Sequence, residues 1–522
     1  MKSILILMCI FIIQCNSKSQ GNKVITKNEI ISKAIQNKTD GFYDFIPINT
    51  SDQDKVIIPN GFNYKVLISY GDKINLIGDT FGFNNDHVEY FPMKDSKEMA
   101  KVATGILFVS HEFSENLLGL DRVKKEKYIV GASIFKIKYK NKNWEVDLSS
   151  KYNRRITAET LVRVEGLVKE LLGSTVTGTL GNCSGGQTPW GTVLSGEESL
   201  DYGFRHGWSG FNPKHYGWII EIDPYDPKSM PVKQTALGRF KHENAAIVIS
   251  KDGRVVVYMG DDTPFGGFYK FVSDKKYKKD DRKHNLTLLF TGKLYGAKLS
   301  DVNSANGSGE WIPLDINDPI SGPKLKKAGF KSQPEVLIDV QKASKILGIS
   351  GLDRPEDCEI HPKDGSIYLA LTNNYKKFPP NLHGMIFRFI ELNDNHLALS
   401  FKYETFAKGG LESGFSSPDN LAFDSKGNLW MSTDISGDLL NTPNWLFHGN
   451  NSLFMFNTKG LEKGVAKRFA VGPNGCEMTG LWFSPDEKTL FLSIQHPGEG
   501  KNKSTWPSGK LAKPSVITIM KD

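Results

Sequence analysis

A hairpin-forming unit recurs along this chain and constrains its fold more than any other feature. Each copy has an acidic or polar motif, a short apolar run, a turn built on Asp, and a second run ending in polar residues. Lys241-His242-Glu243 leads to the turn Lys251-Asp252-Gly253 and ends at Asp261-Asp262. Arg354-Pro355-Glu356-Asp357 leads to Lys363-Asp364-Gly365 and ends at Thr372-Asn373. Pro418-Asp419-Asn420 leads to Asp424-Ser425-Lys426-Gly427 and ends at Thr433-Asp434. Glu477-Met478-Thr479-Gly480 leads to Pro485-Asp486-Glu487 and ends at Gln495-His496. Asp-Gly between apolar runs is a hairpin signal. Two more strand ends, His111-Glu112 and Glu197-Glu198, bring the set to six. Repeated antiparallel hairpins give an all-β chain, and six of them suggest a six-bladed β-propeller with inserted loops and few helices. The residues also allow an irregular β-sandwich with ordinary polar strand ends.

At 522 residues with 39% hydrophobic and 11% aromatic content, the chain can build a large core. A mean hydropathy of −0.35 excludes a polytopic membrane protein. The net charge of +8 attracts anionic ligands but is too mild to imply nucleic acid. Spaced apolar residues in Thr157–Leu172 predict a helix. The segment 263–346, rich in Lys, Gly and Asn, reads as an insertion between the third and fourth blades. Residues 41–522 are then one propeller domain, expected to be a monomer.

At the N-terminus Lys2 precedes an apolar stretch, Ile4–Ile13, too short to span a bilayer, followed by Cys15 and a polar run. Residues 1–15 read as a lipoprotein signal with Cys15 the lipidated residue, and 16–40 as a tether. A plain secretory signal is the alternative. Both export the protein, to the outer membrane or cell surface as a lipoprotein, or to the periplasm. The only membrane contact expected is through that lipid. Cys183, Cys358 and Cys476 remain, an odd number that leaves at least one free thiol or thiolate ligand. A Cys358–Cys476 disulfide is compatible with the sequence.

Asn182-Cys183-Ser184-Gly185-Gly186-Gln187-Thr188-Pro189-Trp190-Gly191 sets a lone cysteine among small, turn-forming residues, one short strand before Glu197-Glu198. One soft and two hard ligands at one strand end suit a metal site, and a buried structural cysteine beside solvated acids is the plainer reading. If the strand ends converge, Glu112, Glu197, Glu198, Glu243, Asp261, Asp262, Glu356, Asp419, Asp434 and Glu477 crowd one region. Two such charges about 4 Å apart repel by roughly 4 kcal/mol at an effective dielectric near 20. Cations are then required: calcium for the oxygen-rich set, a transition metal for Cys183 with any of His111, His242 and His496. Arg354, in Arg-Pro-Glu-Asp, offers a planar fork to a phosphate or carboxylate, or a structural ion pair. No Gly-x-Ser-x-Gly elbow, His-Glu-x-x-His helix or Walker loop occurs, so a serine nucleophile has no sequence support and metal-activated water or oxide is the better candidate for the attacking group.

The Asn182–Gly191 motif with Glu197-Glu198, Arg354-Pro355-Glu356-Asp357, and Glu477-Met478-Thr479-Gly480 with Gln495-His496-Pro497-Gly498 resemble the PhoX-type alkaline phosphatases, from about residue 50 to the C-terminus. The resemblance implies two ferric ions (Fe3+), two or three calcium ions (Ca2+), and hydrolysis of small phosphate monoesters outside the cytoplasm. It implies Cys183 as an iron ligand and Glu197, Glu198, Glu243 and Glu356 as metal ligands. Asp262, Asp419 and Glu477 complete the expected metal set. Arg354 would contact phosphate, and Arg354, Cys183 and Glu356 are the expected catalytic residues. Ser110-His111-Glu112 and Asp261-Asp262 depart from that family's common Asn-His-Glu and Glu-Asp. A calcium-dependent propeller lactonase or phosphodiesterase and a non-catalytic surface binding lipoprotein are the competing functions.

Overall fold

The computed structural model describes residues 41–93, 104–114 and 117–522. The signal and tether expected over 1–40 lie outside them. The chain divides into two units, Met1–Asp44 and Phe45–Asp522. All of the strands belong to the second.

The strands group into six four-stranded antiparallel sets. Blade one is Asn85–Pro92, Thr104–His111, Gly131–Lys140 and Asn143–Val146, from the innermost strand outward. Blade two is Asn182–Gln187, Val193–Glu197, Ile219–Ile222 and Val232–Gln234. Blade three is Ala246–Ile249, Arg254–Gly260, Phe268–Lys276 and Gly292–Leu299. Blade four is Pro355–Ile360, Ile367–Leu371, Met385–Glu391 and Ser400–Lys408. Blade five is Pro418–Phe423, Leu429–Thr433, Ser452–Phe456 and Ala466–Val471. Blade six takes Glu477–Phe483, Thr489–Gln495 and Ser515–Lys521 from the C-terminus and closes with Phe62–Ser69, paired antiparallel to Ser515–Lys521. The six innermost strands touch in a closed ring. This is a six-bladed propeller, and joining the two ends of the domain in one blade removes the open sheet edge that would otherwise remain.

The hairpin turns form for the reason the sequence suggests. In each, an Asp side chain accepts a backbone N–H two to four residues on: Asp252 from Arg254, Asp364 from Ser366, Asp424 from Asn428 and Asp486 from Lys488. The turn then needs a left-handed residue, supplied by Gly253, Gly365 and Gly427, with Glu487 in that role in blade six.

The innermost strands of blades one, four, five and six each slip register near their start, between Asn85 and Val88, Pro355 and Cys358, Pro418 and Leu421, and Thr479 and Trp482. A bulge spends one extra residue and re-aims side chains. Here it turns consecutive polar residues inward, Glu356 with Asp357 and Asp419 with Asn420, while the apolar alternation resumes behind them. Between blades the cores are aromatic. Tyr258, Phe268, Trp311, Phe389 and Phe401 pack together between blades three and four, each at most 2% exposed.

Two segments differ from the sequence expectation. Thr157–Leu172 is not one helix: Leu161–Glu165 is a strand parallel to Val232–Gln234, and only Lys169–Leu172 is helical. Leu-Val-Arg-Val-Glu alternates exposed and buried, a period of two that outweighs the wider spacing. The segment 263–346 is only partly inserted. Phe268–Lys276 and Gly292–Leu299 are the outer strands of blade three, and Asn306–Pro313 bridges blade three to blade four. The non-sheet remainder includes the helices Ser321–Lys327, Gln333–Ile338 and Val340–Leu347. Among the described residues no helix is long and apolar enough to cross a membrane.

Candidate metal centre

Every blade delivers one ligand-type side chain to the same end of the ring. Asp86, Cys183, Glu243, Glu356, Asp419 and Glu477 come from the innermost strands of blades one to six or, for Glu243, from just before one. Glu112, Glu198, Asp262, Asp434 and His496 follow from the ends of the second strands. All of these line one cavity of about 880 Å³. Blade seams are held close by glycines. A Cβ on Gly260 would meet the Glu356 carbonyl oxygen at 2.3 Å, and one on Gly480 the Asp86 carbonyl oxygen at 2.0 Å.

Cys183 Sγ lies 3.0 Å from Asp86 Oδ2 and 3.2 Å from Glu243 Oε1. Gln495 Nε2 donates to Glu112 Oε2 at 3.2 Å. Three sets of ligand atoms each lie within 4.8 Å of one another: Asp86, Glu112 and Cys183; Glu243, Glu356 and Asp419; Asp419, Asp434 and Glu477. Arg354 stands at the rim. Its Nη2 donates to Asp262 Oδ2 at 2.7 Å and lies 3.3 Å from Glu356 Oε1. The Arg354 backbone is left-handed, φ 53°, a conformation costly for a side-chain-bearing residue and held by its surroundings. Ser417, in the same position before Pro418, repeats it at φ 48°.

Ten carboxylates line the cavity against two obligate cations, Lys241 and Arg354. Burial pushes Glu243, Glu356, Asp419 and Glu477 well above the usual carboxylate range, and the charges beside them add to it. Burial, then Asp86 and Glu243, push the Cys183 thiol up as well. Glu198 is the exception: against burial, Lys241, hydrogen bonds with Glu112 and Asp262, and Arg354 hold it at about 2. Asp262 Oδ1, Asp419 Oδ1 and Gln495 Oε1 are buried without a hydrogen-bond partner. Buried acids without partners stay protonated or hold cations. The donor types fit metals, a thiol with two carboxylates in the first set and oxygen alone in the others.

The cavity therefore gathers Cys183, Glu198, Glu243, Asp262, Arg354, Glu356, Asp419 and Glu477 as expected, but not Glu197. Both Glu197 oxygens are taken by the buried Lys233 Nζ, at 2.7 and 2.9 Å, with further bonds from Thr179 and the Trp218 N–H. It is a structural ion pair, because successive strand residues face opposite sides. Asp261 likewise turns away, to Gln341 Nε2 at 2.9 Å. Of the three histidines only His496 lines the cavity, 3.3 Å from Glu477. His111 is bonded to Ser133, and His242 to the Gly238 carbonyl. Cys358 and Cys476 are buried free thiols, not a disulfide. Asp86 and Glu499 line the cavity without being named by the sequence pattern, and Lys241, which opens the blade-three motif, lines it without a role assigned from sequence.

No curated protein sequence matches the chain. Among solved structures, Pseudomonas fluorescens PhoX in complex with vanadate, a transition-state analogue, superposes with a TM-score of 0.83 at 32% identity, over 91% of this chain and 98% of that one. A gluconolactonase from Xanthomonas campestris follows at TM-score 0.37 and 10% identity, over 93% of this chain and 100% of that one. The family model for alkaline phosphatase PhoX matches residues 43–498. The chain belongs to the PhoX alkaline phosphatase family.

Proposed function

We propose that this metal-dependent phosphatase hydrolyses small phosphate monoesters outside the cytoplasm, with two ferric ions and two or three calcium ions in the cavity. The observation that carries the reading is the single pit in which Cys183 meets Asp86, Glu112 and Glu243 while Arg354 guards the rim. Cys183, Asp86, Glu112 and Glu243 suit iron, and the oxygen-only groups around Asp419, Asp434 and Glu477 suit calcium. When bound, such ions supply Lewis-acid polarisation of the ester oxygens and neutralise the acids.

The chain's own residues do the rest. Arg354, pinned by Asp262 and Glu356, presents its remaining N–H groups to the phosphoryl oxygens and offsets charge that grows as the ester bond breaks. Lys241 keeps Glu198 ionised as a ligand. The thiol of Cys183, whose ionisation burial and nearby acids oppose, serves as a metal ligand rather than a free nucleophile. An N-terminal lipid on Cys15 would hold the enzyme at a membrane surface.

An aryl phosphomonoester assay tests the proposal. Wild-type protein turns over, and both chelation and Cys183→Ala abolish turnover. Full activity in both would reject it.

A further inference from the structure

Three polar residues from three blades meet behind the Cys183 end of the cavity. Each belongs to a register slip in an innermost strand: Asp86 between Asn85 and Val88 in blade one, Asn420 between Pro418 and Leu421 in blade five, and Thr479 at the start of the slip that ends at Trp482 in blade six. A bulge re-aims the side chains it carries. All three residues are buried, at most 2% exposed. Across the seam between blades six and one, Thr479 Oγ1 lies 2.5 Å from Asp86 Oδ1. The same hydroxyl touches Asn420 Oδ1. The Gly480 N–H donates to Asn420 Oδ1 at 2.9 Å, which fixes how the Asn420 amide is turned.

One hydroxyl proton then has two acceptors on offer. Asn420 Oδ1 is already served by Gly480, whereas among the described residues no other group donates to Asp86 Oδ1. An ionised carboxylate is also the stronger acceptor. The proton therefore goes to Asp86 whenever that acid is ionised, as a metal ligand must be. Oδ1 is then occupied. Oδ2 remains, 3.0 Å from Cys183 Sγ and 3.5 Å from Gln495 Nε2. Asp86, Glu112 and Cys183 form one of the sets whose ligand atoms lie within 4.8 Å of one another. Thr479 is not among the residues that line the cavity, so it reaches an ion there only through Asp86. Hydrogen-bond partners of this kind orient a ligand and tune the ion it holds.

We propose that Thr479 is a positioning residue for the iron held at Cys183: its hydroxyl holds Oδ1 of Asp86 and leaves Oδ2 alone for that ion. A hydroxyl on blade six thereby sets how a carboxylate on blade one binds beside a thiol on blade two. This deepens the phosphatase reading and rests on its assignment of iron to the group around Cys183.

A pair of substitutions in the holoenzyme separates the hydroxyl from the bulk of the side chain. Thr479→Val keeps the shape and removes the hydroxyl, and Thr479→Ser keeps the hydroxyl and removes the methyl. Two readouts independent of turnover apply, iron affinity by chelator competition and the visible sulfur-to-iron charge-transfer band. Thr479→Val should bind iron about ten- to a hundredfold more weakly, with the band displaced and the calcium content of the wild type. Thr479→Ser should match the wild type within about twofold in affinity and keep the band in place. A role in packing alone predicts the opposite order. If Thr479→Val fails to fold, Thr479→Ala compared with Thr479→Ser isolates the hydroxyl equally well. Wild-type affinity and band in Thr479→Val, or equal impairment of Thr479→Val and Thr479→Ser, would overturn the inference and leave the phosphatase reading standing. Failure of that reading looks different: a wild type with neither iron nor band would overturn both.

Discussion

Glu197 and Glu198 are neighbours that serve different ends: Glu197 Oε1 sits 2.7 Å from the buried Lys233 Nζ, while Glu198 Oε1 lies 3.3 Å from Lys241 inside the cavity. Removing one partner of a buried pair leaves an uncompensated charge and costs about 3–5 kcal/mol. Glu197→Ala should therefore lower stability by about that much in denaturant titration while folded protein keeps its metals. Glu198→Ala should do the reverse, with little change in stability at saturating metal and a large loss of activity. Equal behaviour of the two variants would contradict the division.

Arg354 is the one guanidinium lining the cavity among the described residues, and its fork is aimed by Asp262 and Glu356. Losing a preorganised donor to developing charge costs roughly a hundred- to a thousandfold in kcat. Arg354→Ala should show that loss in steady-state kinetics with metal content unchanged. Arg354→Lys should recover only part of it, because an ammonium cannot make the two-pronged contact.

Gly260 packs against the backbone of Glu356 across the seam between blades three and four. A methyl group there needs the Glu356 carbonyl to move. Gly260→Ala should displace Glu356 and reduce activity at least tenfold, and a crystal structure should show the innermost strand of blade four shifted outward. Wild-type activity would contradict this.

The pH dependence of stability has a source far from the cavity. Burial lowers His396 to about 4, with Lys270 and Lys251 adding to it, and its ring bonds to the Tyr258 hydroxyl at 2.9 Å. The unfolded histidine takes up a proton below about 6.5, the folded one only below about 4. Stability from this group is thus complete above 6.5 and is lost as pH falls from 6.5 to 4. Allowing for partial exposure, the loss is about 2 kcal/mol. The unfolding free energies from denaturant titration at pH 7.5 and 4.5 should converge by that amount in His396→Asn relative to wild type.

Much of this architecture is legible in the chain because Asp-anchored turns are local chemistry. Asp252, Asp364, Asp424 and Asp486 each mark a real hairpin, and the polar ends after Asp252, Asp424 and Asp486 meet in the cavity, whereas Thr372-Asn373 after Asp364 is not among its lining residues. Asp86 is hidden because the sequence between blade one's first two strands carries no Asp-Gly pair to flag the strand before it. Glu197 looks like a ligand in the sequence because composition ignores facing: on a strand, only one of two adjacent acids can enter a cavity. Lys241 is visible as a residue, but its role depends on Glu198, forty-three positions away in sequence and 3.3 Å away in space. The outer strands of blade three read as an insertion because Lys and Gly content hides the alternation in Phe268–Lys276.

Six blades converge on one acid-lined pit with the Cys183 thiol in its wall, and the proposed function rests on that convergence. The decisive measurement is the iron and calcium content of purified wild type and of Cys183→Ala by elemental analysis. Stoichiometric iron and calcium are expected in the wild type, with loss of iron and near-complete retention of calcium in the variant. Wild-type protein that hydrolyses phosphate esters at full rate without stoichiometric metal, or a variant with undiminished iron, would contradict it.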